Sequence, residues 1–374
     1  MTLCLFQVYV GESSSPQIRG RLVCIIGVFK GLGGLLNYVV GYILPWRWVP
    51  ALFVLVFLVP SLLGMLLVPE SPYWLLGKQR DEEARKSLMT LRGDPAVVKK
   101  DLAIITEACK SRQKALTLRE LGKEMKKLSV LAPFLTVTAL FLIRVLTGIS
   151  VVLTYTVVIF QEIGSAVGAH QFSILFGCMG TVTSAFCALY VSDRFSRRSL
   201  LISSGVCCMV TTLGMAAFLF GRDHAPEWTG WQHLSWLPLP LILLHNVAYE
   251  YGLSRTGWTV HAEVFPSRVR SALSGFGVLV HFFGIFVAVL AFPYIRMAFT
   301  LAGAFCSFAF FSLLCVLLTI FFIPETRNQR LETIEAFYTQ RFSPSSKKCL
   351  EPEGTTASTT RNSPIVSTLS TINR

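Results

Sequence analysis

The chain has 374 residues, of which 53% are hydrophobic and 15% charged, against roughly 25% charged in an ordinary soluble domain. With a mean hydropathy of +0.58, this excludes collagen-like, disordered and disulfide-scaffold classes and argues against a soluble enzyme. The net charge of +13 fits nucleic acid only if the basic residues form a face interleaved with aromatics. They fall mostly between or after apolar blocks, so no nucleic-acid partner is expected.

The apolar residues come in blocks about twenty long, the length that crosses ~30 Å of hydrocarbon. An all-round apolar helix of that length has no reason to exist in water. Residues 1–10 are apolar but too short to span, and they lack the basic leader of a signal peptide. They read as the end of a helix. Eight blocks follow, at 22–44, 47–68, 131–160, 171–191, 199–220, 236–262, 272–295 and 298–323. The Gly27, Gly34 and Gly41 stripe of the first block reads as close helix packing.

Between the second and third blocks lies a charged stretch, 69–130. RDEEARKSLMTLRG, KDLAIITEACK and LRELGKEMKKL each read as a short amphipathic helix, with Asp81–Arg85 and Glu82–Lys86 at i,i+4. A solvated helical linker and a cytoplasmic helical cap both fit. The tail from about residue 342 is Ser/Thr-rich and without apolar period, and reads as disordered.

Placing 69–130 inside and alternating from there puts most of the 34 Lys and Arg on the inner side. Arg47, Arg222 and Arg296 fall outside, and Lys30, Arg144 and Arg255 fall within blocks. The positive-inside rule therefore sets both termini in the cytoplasm. None of the ten cysteines lies in a segment read as external and no pair has metal-site spacing, so neither structural disulfides nor a metal are expected. No cofactor, GxSxG, HExxH, CxxC or P-loop signature is present, and an enzyme is not expected.

The sequence repeats weakly. Glu12 precedes Arg19 in ESSSPQIRG, and Glu263 precedes Arg270 in EVFPSRVRS, at the same spacing of seven; PESP at 69–72 matches PETR at 324–327. Each pair frames two membrane blocks, the parallel-repeat pattern of transporters built from two six-helix halves. In that register about 120 residues ahead of Met1 have no counterpart. The expected organisation is a remnant of an N-terminal membrane half over 1–68 and a cytoplasmic helical linker over 69–130. A six-helix C-terminal half follows over 131–323, then a cytoplasmic tail over 324–374.

These residues resemble the sugar porter family of the major facilitator superfamily. YVGESSSPQIRGRL resembles the element ending its fourth helix, and PESPYWLLGKQRDEEARKSLMTLRGD its PESPRWLL stretch. SDRFSRRSL resembles its D-R-x-G-R-R-x-L loop. AEVFPSRVRS and FFIPETRNQRLETIE resemble its E-x-F-P-x-x-x-R and P-E-T-K-G-x-x-L-E-E-I-E signatures. Within the family the chain looks most like arthropod facilitated trehalose transporters. The resemblance implies an all-α polytopic membrane protein with the superfamily's fold, its N-terminal half incomplete. It also implies a solute site near the midplane and facilitative passage of a hexose or trehalose by alternating access at the plasma membrane.

The chain departs from the family at the expected sugar site. RVLTGIS stands where the family has Q-Q-L-S-G-I-N, so its two sugar-binding glutamines fall on Arg144 and Val145 and its asparagine on Ser150. Further family positions fall on Gly27, Thr181 and His281. Trp258 matches the family's cavity tryptophan, with Glu250 eight residues earlier, and the flexing stretch GLSRTGW lacks a proline. By periodicity, Arg144, Thr147, Ser150, Thr154 and Tyr155 fall within about 140° of one face. Glu250, Ser254, Trp258 and His261 fall within about 80° of another. A mid-membrane charge costs ~2.5–3.5 kcal/mol, so Lys30, Arg144 and Glu250 should face protein or water. The expected solute residues are Trp258, Glu250, Arg144, Ser150, Thr181 and His281; His245 and His261 read as structural.

The resemblance also implies an inner salt-bridge cluster that holds one conformer. Its expected members are Glu263, Arg270, Asp193, Arg194, Arg197 and Arg198, joined by Glu12, Arg19, Glu70 and Glu325. Ion pairs made in one conformer bias the equilibrium by their differential energy. Ser196 and Tyr73 replace the family's glycine and arginine, which weakens that cluster. Two alternatives to a sugar carrier stand: an organic-anion carrier, to which Arg144 is suited, and a truncated or degenerate member that transports nothing. The sequence leaves oligomeric state open.

Overall fold

The computed structural model describes residues 9, 13, 16–111, 118–163, 168–191, 194–225, 230–265, 269–327 and 337–338. Among them every regular element is helical. Glu12, Asp193 and the tail from 342 lie outside the described residues, as do the side chains of Arg19, Glu263 and Arg270. Contacts divide the chain into two units, one of 1–115 with 167–192 and one of 116–166 with 193–374.

In the first unit α1 spans Pro16–Ile43 and α2 Trp48–Leu67. Three short helices follow, α3 (Pro72–Gly77), α4 (Asp81–Arg92) and α5 (Pro95–Ser111). The sequence dictates their ends. Ser71 caps α3 by accepting from the Trp74 amide, and Asp81, Glu82 and Glu83 sit at the positive end of α4. Gly93, at φ 75°, closes α4 in the left-handed region. Leu75, Leu76, Ala84, Leu88, Val98 and Ile105 bury a small core of their own, with Tyr73 and Leu102 against it. α3, α4 and α5 share this core as one small packed cap. Its ion pairs are Arg80–Glu83 at 2.6 Å and Arg92–Asp101 at 2.9 Å. The expected Asp81–Arg85 and Glu82–Lys86 pairs do not form among the described residues.

The unit is completed by α9 (Ala169–Phe186), continued by a π-helical turn over Cys187–Val191. α9 packs on α1. The close approach runs through Gly31, where an added Cβ would stand 2.9 Å from Thr181 Oγ1, and through Gly177 against Tyr38 and Leu35. The expected stripe is thus corrected: Gly34 and Gly41 have nothing within 4 Å of an added Cβ. Lys30 is exposed on α1.

The second unit contains α6 (Leu118–Glu124), α7 (Leu128–Leu146), α8 (Ile149–Ile163), α10 (Arg197–His224) and α11 (Gly230–Leu234). It continues through α12 (Pro238–Ala248), a π-helical segment (Tyr249–Ser254), α13 (Arg255–Val264) and α14 (Arg270–Phe322). α10 packs on α14 and α12, and α7 on α14.

Among the described residues, five helical runs are long and apolar enough to cross a membrane: Trp48–Leu67, Val130–Ile163, Ala169–Val191, Arg197–His224 and Ala272–Phe322. They take up six of the eight sequence blocks, because α14 joins 272–295 and 298–323, with Thr300, at φ 63°, breaking the helix near the start of the second. The block at 22–44 falls on α1. The block at 236–262 is interrupted by the π-helical segment and is no single α-helix.

Candidate functional site

Two interruptions of the helices build the candidate site. The first separates α7 from α8. Gly148 adopts φ 96°, a left-handed conformation that needs glycine, and the Phe308 ring occupies the space its Cβ would take. Thr147 Oγ1 donates to the Arg144 carbonyl at 2.7 Å and ends the α7 ladder. Arg144 thereby sits in the last turn of α7, facing the protein interior, 1% exposed.

The second interruption is the π-helical segment Tyr249–Ser254. Its wider turn places a side chain inside the backbone ladder. Ser204 Oγ, from α10, accepts from the Leu253 amide at 3.0 Å and donates to the Ala248 carbonyl at 2.7 Å. Gly252 lets the segment approach so closely, since a Cβ there would strike the Leu200 carbonyl and the Ser204 side chain.

Arg144 approaches the same segment from α7. Its Nη1 donates to the carbonyls of Leu253 at 3.1 Å and Ser254 at 3.0 Å, and its Nη2 lies 3.3 Å from His281 Nδ1. The guanidinium carbon lies 4.7 Å from the Phe141 ring centre and 5.3 Å from that of Trp258. Phe141 and Trp258 are 4.9 Å apart, Trp258 and His281 5.1 Å, and Phe141 and His261 4.7 Å. His261 rests on Gly277, where any Cβ would collide with Nε2. The cluster thus holds one guanidinium among aromatic faces, two imidazoles and backbone oxygens. No carboxylate lies within salt-bridge distance of Arg144 among the described residues.

Of the expected solute residues, Arg144, Trp258 and His281 are brought together. Glu250 lies within the π-helical segment, where a 100° wheel no longer applies, and it forms no hydrogen bond or ion pair among the described residues. Ser150 is half-buried at the start of α8. Thr181 belongs to the first unit, where its hydroxyl donates to the Gly177 carbonyl at 2.8 Å. Sequence reasoning missed Phe141 and Ser204. Phe141 carries a signal, lying three residues before Arg144 on the same face. Ser204 carries none, because any serine in an apolar block reads alike. His261, read as structural, joins the cluster, while His245 is buried elsewhere with Thr211 Oγ1 3.4 Å from its Nδ1.

At the start of α10, Glu325 accepts from the backbone amides of Arg197 at 3.0 Å, Arg198 at 3.2 Å and Arg327 at 2.9 Å. Arg198 Nη2 donates to the Ile320 carbonyl and Arg327 Nη1 to that of Arg194. Ser196 caps α10 by accepting from the Ser199 amide. The SDRFSRRSL and PETR motifs therefore meet as a capped helix end, with the Glu325 carboxylate at its positive pole. Glu70 lies in the first unit, exposed, its carbonyl accepting from Ser87 at 2.6 Å.

The fold defines a multi-pass helical membrane protein. A family profile described as "Sugar (and other) transporter" matches residues 2–338, and the chain belongs to that family. It is similar to the facilitated trehalose transporter Tret1 of Bombyx mori, 31% identical over 330 residues that cover 88% of this chain and 64% of that protein. It is 29% identical to trehalose transporter 1 of Drosophila melanogaster over 330 residues, 88% of this chain and 38% of that one. The chain thus spans less than two thirds of the length of these relatives. Among solved structures, the inward-open xylose transporter XylE of E. coli has a TM-score of 0.64 at 22% identity, covering 88% of this chain and 68% of its own.

Proposed function

We propose that this chain serves facilitative passage of a sugar, a hexose or trehalose, across the plasma membrane by alternating access, with both termini cytoplasmic. The observation that carries the reading is the family match along residues 2–338. The Trp258 face among His281, His261 and Phe141 supports it, because an aromatic face and imidazole donors suit a sugar ring and its hydroxyls. Trp258, His281, Glu250 and Ser150 are the proposed solute residues of the second unit; Thr181, in the first, has its hydroxyl engaged by the Gly177 carbonyl. The Glu325–α10 contact, with Asp193, Arg194, Arg197, Arg198, Glu263 and Arg270, is the proposed conformer-dependent cluster on the inner side. The basic residues that alternate with the apolar blocks support the orientation.

A second reading is favoured by one observation: Arg144 is a buried cation with no carboxylate beside it among the described residues, which suits an organic anion. The test is uptake of labelled trehalose, glucose and benzoate by the full chain in proteoliposomes, with Trp258→Ala alongside. Saturable sugar uptake, lost in Trp258→Ala and unaffected by benzoate, is the expected result. Benzoate uptake without sugar uptake establishes the anion reading instead. Flux of neither makes the chain a non-transporting member.

A further inference from the structure

We propose that Arg144 is a clasp on the backbone of the π-helical segment: it ties the end of α7 to the start of α13 and so positions Trp258. Its guanidinium is the only side chain among the described residues that donates to the carbonyls of Leu253 and Ser254. Both carbonyls stand where the segment passes into α13, and Trp258 follows one turn later. In a membrane, a backbone loosened from regular helical pairing must find partners on neighbouring helices. Here Ser204 serves the segment from α10 and Arg144 serves it from α7.

Three features fit a clasp better than a solute ligand. Arg144 is 1% exposed, so a solute reaches it only after other groups move. Its Nη1 is committed twice to backbone oxygen and its Nη2 faces His281. The surface beneath it is shaped to receive it: an added Cβ on Gly257 would stand 2.9 Å from Nη1. The rings of Phe141 and Trp258 cover the charge with their electron-rich faces, which lowers the cost of keeping it there. GLSRTGW, where the π-helical segment passes into α13, has no proline; the arginine braces that passage from outside. Trp258 is fixed through the same contact, between the guanidinium and His281.

The test is hydrogen exchange on the full chain in nanodiscs, followed by mass spectrometry, for wild type, Arg144→Met, Arg144→Lys and Gly257→Ala. Arg144→Met keeps bulk and removes the donors. It is expected to speed exchange across 249–261 about tenfold, the loss of a hydrogen bond from a charged donor, with α10 peptides over 205–219 unchanged. Arg144→Lys, which keeps one charged donor, is expected to recover most of that protection. Gly257→Ala keeps Arg144 but pushes it off the carbonyls, and is expected to reproduce the opening although alanine favours helix. Unchanged exchange over 249–261 in Arg144→Met overturns the clasp. An equal rise over 205–219 makes Arg144 a general core residue and overturns it too, as does slower exchange in Gly257→Ala. Each readout is independent of which solute is carried, or whether any is.

Discussion

Ser204 Oγ stands inside the backbone ladder of its neighbour, taking the Leu253 amide at 3.0 Å and passing its own proton to the Ala248 carbonyl at 2.7 Å. One hydroxyl thus bridges the two ends of an i,i+5 turn that lies in an apolar setting. Ser204→Ala leaves a buried donor and a buried acceptor facing each other across a gap. The expected cost is about 1–3 kcal/mol, the desolvation penalty of groups left unmade. A thermal melt in nanodiscs measures it, and faster exchange of the Leu253 amide localises it. If Ser204→Ala melts like wild type, the segment closes its own ladder without help.

The break after α7 depends on one glycine for two separate reasons. Gly148 has φ 96°, and the Phe308 ring lies where a Cβ would go. Gly148→Ala is expected to cost about 1–2 kcal/mol from the left-handed backbone alone. The ring adds a further steric term. Adding Phe308→Ala removes the ring but not the backbone term, so the double variant is expected to be less stable than Phe308→Ala by about the conformational amount. Equal stability of those two would show that φ at this position relaxes freely.

How much of this was legible in sequence depends on what each level of structure responds to. Apolar length is read directly, since ~30 Å of hydrocarbon demands about twenty residues. The blocks at 47–68 and 199–220 duly became Trp48–Leu67 and Arg197–His224. Helical-wheel faces were less secure, because a wheel assumes one period throughout. It applies to Trp258 and His261, both within α13, and does not extend to Glu250, which lies in the π-helical segment. The glycine stripe failed for a related reason: Gly31 is fixed as the contact point by where Thr181 comes to rest, which no local pattern encodes. Glu325 is read from sequence as a member of an ion-pair cluster; what no side-chain pattern shows is that its carboxylate accepts from the amides of a helix end. Those amides are present whatever the side chains are.

The cap formed by α3, α4 and α5 buries Leu88 at 1% exposure, within a core of only a few side chains. A core that small has little to redistribute. Leu88→Ala is expected to cost the cap about 2–5 kcal/mol. Limited proteolysis should then cut within 72–111 sooner than in wild type, while the melt of α10 and α14 stays unchanged. A coupled loss of both would mean that the cap and the membrane helices unfold as one.

Glu325 accepts from the first amides of α10 and from Arg327, half-buried at the end of α14. Its worth divides into hydrogen bonding, which a neutral acceptor keeps in part, and charge, which it loses. Glu325→Gln removes the charge and leaves one acceptor oxygen. Near a helix N-terminus the charge contributes about 0.3–1 kcal/mol at low salt. Solvent reaches the site, so the lower part of that range is expected. The two parts separate by ionic strength. Between 0.01 M and 1 M the screening length falls from about 30 Å to 3 Å. The stability gap between wild type and Glu325→Gln should therefore narrow with salt, while the gap between wild type and Glu325→Ala keeps a residue that salt does not remove. A Glu325→Gln gap that stays constant across that range would place the whole contribution in hydrogen-bond geometry.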